Sequence, residues 1–339
     1  MPVTSRLART DAGAGRPLVV CVGIVTVDLV AALDAPLQPS TKQRAGRIVS
    51  SPGGPAATAA AAIARIGVRA RLVASVGEDE RADMVRNWLH TAGVEDRLLS
   101  RAGVGSATSM VTIDPQGERT IINATGPELV GVPDGSDRAH IMRAMDGAAV
   151  VCADARWPGG AQVALELATA AGIPGVLDLD RSLPEERDQV RRLARNASHV
   201  FASEPGLRDL VGDMGIDAGL EELAELVAAP EAGLGRDGPI VVGVTLGADG
   251  VRWRLVGEAV DTSVRTSPAP TITAVETLGA GDVWHGVCAA SLAGGASSEQ
   301  AITTASAAAA LRCTRRGGWE ILPDAEEVST LMASQHADR

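Results

Sequence analysis

The stretch Val275-Glu276-Thr277-Leu278-Gly279-Ala280-Gly281-Asp282, continuing into Val283-Trp284-His285-Gly286-Val287-Cys288-Ala289-Ala290, decides how the rest of the chain is read. Two glycines flank a single alanine, so the backbone can turn tightly and approach a ligand closely. The apolar run that follows has helical character and sets the glycines at a helix start. Free N–H groups and the positive end of the helix dipole at such a start favour an anion. Asp282 in the first turn then has two readings: a stabilising cap, or a base held beside a phosphate cradle.

The bulk properties narrow the choice. A chain of 339 residues can bury one large α/β core or two smaller ones, and 45% apolar with 22% charged residues is the balance of a soluble globular protein. A net charge of −11 argues against nonspecific nucleic-acid binding and against a basic membrane-surface patch. Lys42 is the only lysine, so no G-x-x-x-x-G-K-[ST] phosphate loop exists and a Schiff-base enzyme would have to use Lys42 itself. Tyrosine is absent and Phe201 is the single phenylalanine, which leaves five tryptophans as the aromatic inventory and argues against base-stacking nucleic-acid platforms. The four cysteines are scattered without C-x-x-C spacing, as reduced thiols of a cytoplasmic protein would be. Residues 1–17 read as a disordered tail, and no apolar run reaches membrane-spanning length.

Along the chain, Leu18-Val19-Val20-Cys21-Val22-Gly23 reads as a buried parallel strand, with Asp28 in the loop beyond its carboxyl end. Residues 29–50 form an extended excursion. Ser51-Pro52-Gly53-Gly54-Pro55 opens a helix over Ala56–Ile66 that stops at Gly67. Ala70–Gly77 predicts one strand and Arg81–Ala92 a helix. Thr108–Ile113 and Glu118–Asn123, joined by Asp114-Pro115-Gln116-Gly117, predict a hairpin. Strands near 148–153, 175–180, 199–202 and 239–245 then alternate with helices near 160–171, 184–195 and 219–228. That alternation implies a three-layer α/β/α architecture around a mostly parallel sheet. The interrupting hairpin suggests a small β subdomain from about 29–50 and 105–123, which the resemblance given below makes a β lid. Gly233-Leu234-Gly235-Arg236-Asp237-Gly238 matches G-x-G-x-x-G but precedes a strand, so it is no dinucleotide fingerprint.

In this order, strand-to-Asp28, Gly53-Gly54, Thr245-Leu246-Gly247-Ala248-Asp249-Gly250 and Leu278-Gly279-Ala280-Gly281-Asp282 resemble the ribokinase-like (PfkB) carbohydrate kinases, over a domain of residues 18–325 followed by a C-terminal tail at 326–339. The resemblance implies ATP-dependent phosphorylation of a sugar hydroxyl with Mg²⁺, and a monovalent cation as a further expectation. It makes Asp282 the base and the amides of Gly279, Ala280 and Gly281 the anion hole. Asp28, Gly53, Gly54 and Thr58 would hold the sugar. Thr245, Gly247 and Gly250 would line the nucleotide site, with Ala309 and Cys313 closing around the adenine. A homodimer through the β lid is implied as well.

Several positions depart from the family pattern. Glu276 stands where an aspartate is usual, one methylene longer. The Asn-x-x-Glu element that helps organise Mg²⁺ is Ser203-Glu204-Pro205-Gly206, which leaves Glu204 as the metal-side acid. Pro55 and Thr58 replace asparagines after the glycine pair. Glu118-Arg119-Thr120-Ile121 and Asp154-Ala155-Arg156 look like ketohexokinase-type kinases. Gly281-Asp282-Val283-Trp284-His285-Gly286 resembles sulfofructose kinases. These point to a ketose or ketose derivative, with Arg119, Arg156 and, more weakly, Lys42 able to grip an oxyanion; His285 reads as structural. A ribokinase, fructokinase or nucleoside kinase, and a non-catalytic sugar or nucleotide sensor on the same fold, are the alternatives.

Overall fold

The computed structural model describes residues 15–181, 186–228, 239–257 and 260–337. The strands in chain order are β1 (Leu18–Val22), β2 (Thr26–Leu33), β3 (Ala45–Gly53), β4 (Arg69–Val73), β5 (Ser75–Gly77), β6 (Glu95–Asp96), β7 (Leu99–Arg101), β8 (Thr108–Ile113), β9 (Arg119–Ala124), β10 (Ala148–Asp154), β11 (Gly175–Leu179), β12 (His199–Ser203), β13 (Ile240–Thr245), β14 (Val251–Val256) and β15 (Arg265–Ser267). The helices are α1 (Pro55–Arg65), α2 (Glu80–Ala92), α3 (Pro127–Val130), α4 (Gly135–Ala144), α5 (Pro158–Ala170), α6 (Arg187–Asn196), α7 (Glu204–Val211), α8 (Ile216–Ala228), α9 (Ala280–Ala293), α10 (Ser298–Cys313) and α11 (Ala325–Ala337).

Nine strands form the main sheet in the order β15-β14-β13-β12-β11-β10-β1-β4-β6. From β13 to β6 every pairing is parallel; β14 and β15 add an antiparallel edge. Strand β1 shows why both faces must be covered. Val19 and Cys21 enter one apolar cluster with α1, α9 and α10, while Leu18, Val20 and Val22 enter a second with α5, α6 and α8. Side chains alternate across a strand, so a run apolar at every position needs helices on both sides. The order of strands reverses between β1 and β10, and ligands in open α/β sheets collect in the crevice beyond such a switch point.

The lid is a four-stranded sheet, β3-β2-β8-β9, in which β2 and β8 run parallel and the outer pairs antiparallel. Here the structure corrects the expected position of Asp28. It lies within β2, because the chain turns at Gly23–Val25 and the next alternating residues pair at once with β3 and β8. The single strand expected over Ala70–Gly77 is two: β4 ends at Val73 in the main sheet, and β5 pairs with β7. Beyond residue 325, where a tail was expected, α11 forms and buries Val328 against the rest of the domain. Residues 1–14 of the expected N-terminal tail, the start of the helix expected from 184, and the rejected G-x-G-x-x-G at 233–238 lie outside the described residues.

Candidate active site

Helices α1 and α9 start at the same end of the sheet and touch through glycine. A Cβ on Gly286 would lie 2.5 Å from the Ala59 carbonyl oxygen, so only glycine allows this approach. Helix α1 has no capping side chain of its own. Its Ala56 N–H donates instead to Asp154 Oδ2 at 2.9 Å, and the same oxygen accepts from Ile24 N–H at 3.0 Å. Asp154 Oδ1 accepts from Arg156 N–H at 2.8 Å. One buried carboxylate at the end of β10 therefore ties the β1–β2 turn to the start of α1. A Cβ on Gly23 would fall 2.0 Å from Asp154 Oδ2.

At the start of α9, Gly279 is the N-cap with φ 74°, a left-handed conformation that favours glycine. The Ala280 N–H donates to the Thr277 carbonyl at 3.2 Å, while the Gly279 and Gly281 N–H groups have no partner among the described residues. A Cβ at Gly281 would meet nothing within 4 Å, so the mouth of the helix is open there. Thr58 of α1 reaches this turn: its Cγ2 would stand 3.5 Å from a Cβ on Gly279. Thr58 Oγ1 accepts from Trp319 Nε1 at 3.2 Å.

Asp282 lies in the same first turn and makes no ion pair or hydrogen bond among the described residues. Burial, first, and then the Asp178 carboxylate push its proton affinity from the ordinary 3.8 up to about 7; His285 opposes them. Asp178 is itself held well above the usual carboxylate range by burial and by the Asp180 and Asp154 carboxylates. Asp178 and Asp180 close the apolar strand Gly175-Val176-Leu177-Asp178-Leu179-Asp180. Acids at the carboxyl end of a buried strand were the available signal for them, and the sequence reading passed over it. His285 is buried, with Nδ1 2.8 Å from the Gly281 carbonyl and Nε2 3.3 Å from that of Phe201. This is the structural place expected of it, and it braces the turn that carries Gly281.

The lid contributes one polar row. Ser51, Asp28, Ser109 and Asn123 are register partners across β3, β2, β8 and β9, so all four side chains share one face. Asp28 Oδ1 accepts from Thr26 Oγ1 at 2.6 Å, and Asn123 Nδ2 donates to Ser109 Oγ at 3.1 Å. Burial raises the proton affinity of Asp28 against the hydrogen bonds of Thr26 and Ser109. A Cβ on Gly53 would lie 2.1 Å from Asp28 Oδ2, and one on Gly54 (φ 92°) 2.6 Å from the Ile24 carbonyl. The glycine pair thus makes room for the acid and for the β1–β2 turn. Ser51, Ser109 and Asn123 escaped the sequence reading because only the lid register brings them beside Asp28. Below this row the same lid face, with Val30, Val49 and Ile113, roofs a groove of about 1180 Å³ that reaches Glu276, Leu278 and Trp319. Asp282 is not among the groove's lining residues, which include Leu278 of the same loop.

The remaining expected residues spread out. Thr245 ends β13, two strands from β11, hence about 10 Å away at the usual strand spacing. Gly247 (φ 58°) has open space around it, whereas Gly250 (φ 83°) is required by packing, since a Cβ there would meet the Ser267 carbonyl at 2.2 Å. Ala309 packs against the core. The Cys313 carbonyl accepts from Val275 N–H at 2.7 Å and Glu276 N–H at 3.1 Å. Arg156 pairs with Asp180 at 3.0 Å. Arg119 has no acidic partner among the described residues, and its charge reaches the Cys313 thiol. Lys42 is exposed in the β2–β3 connection. Glu204 opens α7 with its carboxylate 3.1 Å from Arg208 Nη2, both about half exposed. No cluster of three or more metal-ligating side chains is found among the described residues; Mg²⁺ carried on nucleotide phosphates, with water completing its shell, would need no such cluster. No described helix is long and apolar enough to cross a membrane.

Comparison with known proteins agrees with this fold. The chain is similar to an ATP-dependent ribose-1-phosphate kinase of Halopiger xanaduensis, 28% identical over 84% of this chain and 88% of that protein. It is 28% identical to fructokinase-1 of Oryza sativa subsp. japonica over 95% of this chain and 99% of that one. Among solved structures, a candidate ribokinase from Agrobacterium tumefaciens superposes with a TM-score of 0.83 at 30% identity, covering 96% of this chain and all of that one. The ribokinase of Arabidopsis thaliana complexed with ribose and ATP shares the fold, with a TM-score of 0.75 at 21% identity and 94% and 99% coverage. The family model for pfkB carbohydrate kinases matches residues 16–325, and the chain belongs to that family of sugar kinases.

Proposed function

We propose that the protein transfers the γ-phosphoryl group of ATP to a hydroxyl of a ketose or ketose derivative, with Asp282 as the general base. The observation that carries this reading is the unpaired Asp282, its proton affinity raised to about 7, in the same helical turn as the open Gly279 and Gly281 amides. A base is most effective with a proton affinity near the working pH, and phosphoryl transfer depends mainly on positioning and on stabilising charge. The acceptor hydroxyl gives its proton to Asp282 as it attacks the γ-phosphorus. The Gly279 and Gly281 N–H groups take the charge on the phosphoryl oxygens. Ala280 N–H joins them on releasing the Thr277 carbonyl. Thr245, Gly247, Gly250, Ala309 and Cys313 line the nucleotide's path; Mg²⁺, when bound with the nucleotide, would supply neutralisation of the phosphate charge.

The polar row Ser51–Asp28–Ser109–Asn123 binds sugar hydroxyls, with Gly53, Gly54 and Thr58 shaping the floor beneath. Arg119, on the cleft face of the lid and without an acidic partner, is the group best placed to meet an anionic acceptor; Arg156 serves through the Asp180 pair. The opposite lid face exposes Ile48, Met110 and Ile122, an apolar patch that a second copy of this lid would cover. The acceptor is tested by ADP release on a panel of ketohexoses, their phosphates, ribose and ribose phosphates. A ketose or its derivative should give the highest kcat/KM; a tenfold preference for ribose would overturn this acceptor class.

A further inference from the structure

The resemblance carries the expectation of a monovalent cation, and the cluster of oxygens beside the 275–278 loop that could hold one is already taken. Arg312, in the last turn of α10, is 3% exposed. Its Nη2 lies 2.7 Å from Glu276 Oε1 and donates to the Gly317 carbonyl at 3.0 Å; its Nη1 donates to the Arg315 carbonyl at 2.9 Å. One carboxylate and two carbonyls are the hard oxygen donors that an alkali cation seeks. A guanidinium meets the same three oxygens with a permanent charge and fixed geometry. The next residue, Cys313, accepts the Val275 and Glu276 N–H groups through its carbonyl. The chain is therefore clamped to α10 three residues ahead of Gly279, where the anion hole begins.

We propose that Arg312 is a built-in cation that positions the 275–278 loop, so that phosphoryl transfer on this chain needs no monovalent metal ion. A second cation at this place would meet the guanidinium charge and find its oxygens occupied. The inference rests on the kinase reading and is separable from it. Arg312 touches neither sugar nor nucleotide in this account; it acts through Glu276 and the loop.

The test compares ADP formation and thermal stability in potassium and tetramethylammonium salts at equal ionic strength. Wild type should keep kcat within about twofold between the two salts and show the same Tm, because no binding site is left to fill. Arg312→Ala should lose about a hundredfold in kcat in tetramethylammonium, the effect of a loop displaced by about 1 Å, with a smaller change in the KM for ATP. Potassium should restore much of that loss and raise the variant's Tm by occupying the vacated oxygens. Arg312→Lys should retain most of the wild-type kcat without potassium. Tenfold activation of wild type by potassium, or a potassium-dependent wild-type Tm, would overturn the proposal. So would an Arg312→Ala defect indifferent to potassium. If Arg312→Ala does not fold, the wild-type and Arg312→Lys comparisons decide alone. Absence of ADP formation in every salt and with every sugar would count against the kinase reading, while the wild-type Tm comparison would still test the cation.

Discussion

Glu276 and Asp282 stand six residues apart on either side of one glycine turn, and their surroundings are opposite. Glu276 has a guanidinium at 2.7 Å, both side chains nearly out of solvent, and backbone bonds that lock its loop to α10. Asp282 has no guanidinium beside it; burial, first, and then the Asp178 carboxylate raise its proton affinity, with His285 opposing them. The same chemical group is thus used twice. An acid that must hold the frame is given a partner, which satisfies its charge and fixes its geometry. The acid proposed to accept a proton is denied one, which raises its proton affinity toward neutral pH.

The comparison breaks most visibly at Asp282. Asp282→Asn should lower kcat by about 10²–10⁴-fold, the usual contribution of a general base, while calorimetry still registers sugar binding. In wild type, kcat/KM should fall about tenfold per pH unit as the pH drops below about 7, because the base is then protonated. A flat profile between pH 5 and 8 would remove Asp282 from that role. Stability runs the other way. The folded carboxyl holds its proton at about 7 against an ordinary 3.8, so ionised Asp282 costs the folded state. That cost is absent below about pH 4, grows as the pH rises to about 7 and is full above it. Asp282→Asn should therefore raise Tm by about 2–4 °C or more at pH 8, with the gain vanishing toward pH 4.

Glu276→Gln should move stability in the opposite direction. It leaves the Arg312 charge buried without its carboxylate, a change that typically costs about 3–5 kcal/mol, read as a lower midpoint in urea. Opposite signs for two acid-to-amide changes six residues apart would sharpen the contrast; equal signs would dissolve it. Asp28 lies between the extremes, raised by burial yet held by Thr26 and Ser109. Asp28→Asn should lower kcat/KM for the sugar by about tenfold to a hundredfold, the worth of a charge-assisted hydrogen bond, mainly through KM.

How much of this was legible beforehand depends on the range of the interactions. The turn at Gly279, the Gly53-Gly54 helix entrance and the parallel strands are local: glycine next to an apolar period states them directly. Asp28 was found for its chemistry but placed in the wrong element, since nothing local tells a loop from a lid strand that pairs with Ser51 on one side and Ser109 on the other. Asp154 was quoted only as the neighbour of Arg156. Its three backbone hydrogen bonds join residues 24, 56 and 156, a closure visible only after β1 and β10 pair. Arg312 lay hidden in an alanine-rich helix, and Glu276 looked like a weakened aspartate. The added methylene has a physical place here, because the longer acid meets a guanidinium from the neighbouring helix.

Glu204 gives the smallest expected effect and the finest test of the distinction. It occupies the position where a metal-organising acid was anticipated, yet its carboxylate faces Arg208 one turn along α7. Both side chains are about half exposed, and an exposed i,i+4 pair is worth about 0.3–0.5 kcal/mol. Its acid is therefore a paired acid like Glu276, only without the burial that makes such a pair matter. With Mg²⁺ carried on the nucleotide, Glu204→Ala should shift the midpoint of the Mg²⁺ titration of ADP formation by less than about twofold, as expected for losing so small an interaction. A tenfold or larger rise in the Mg²⁺ requirement would mean that Glu204 leaves Arg208 when the nucleotide binds, and that pairing in the free protein does not by itself mark an acid as frame.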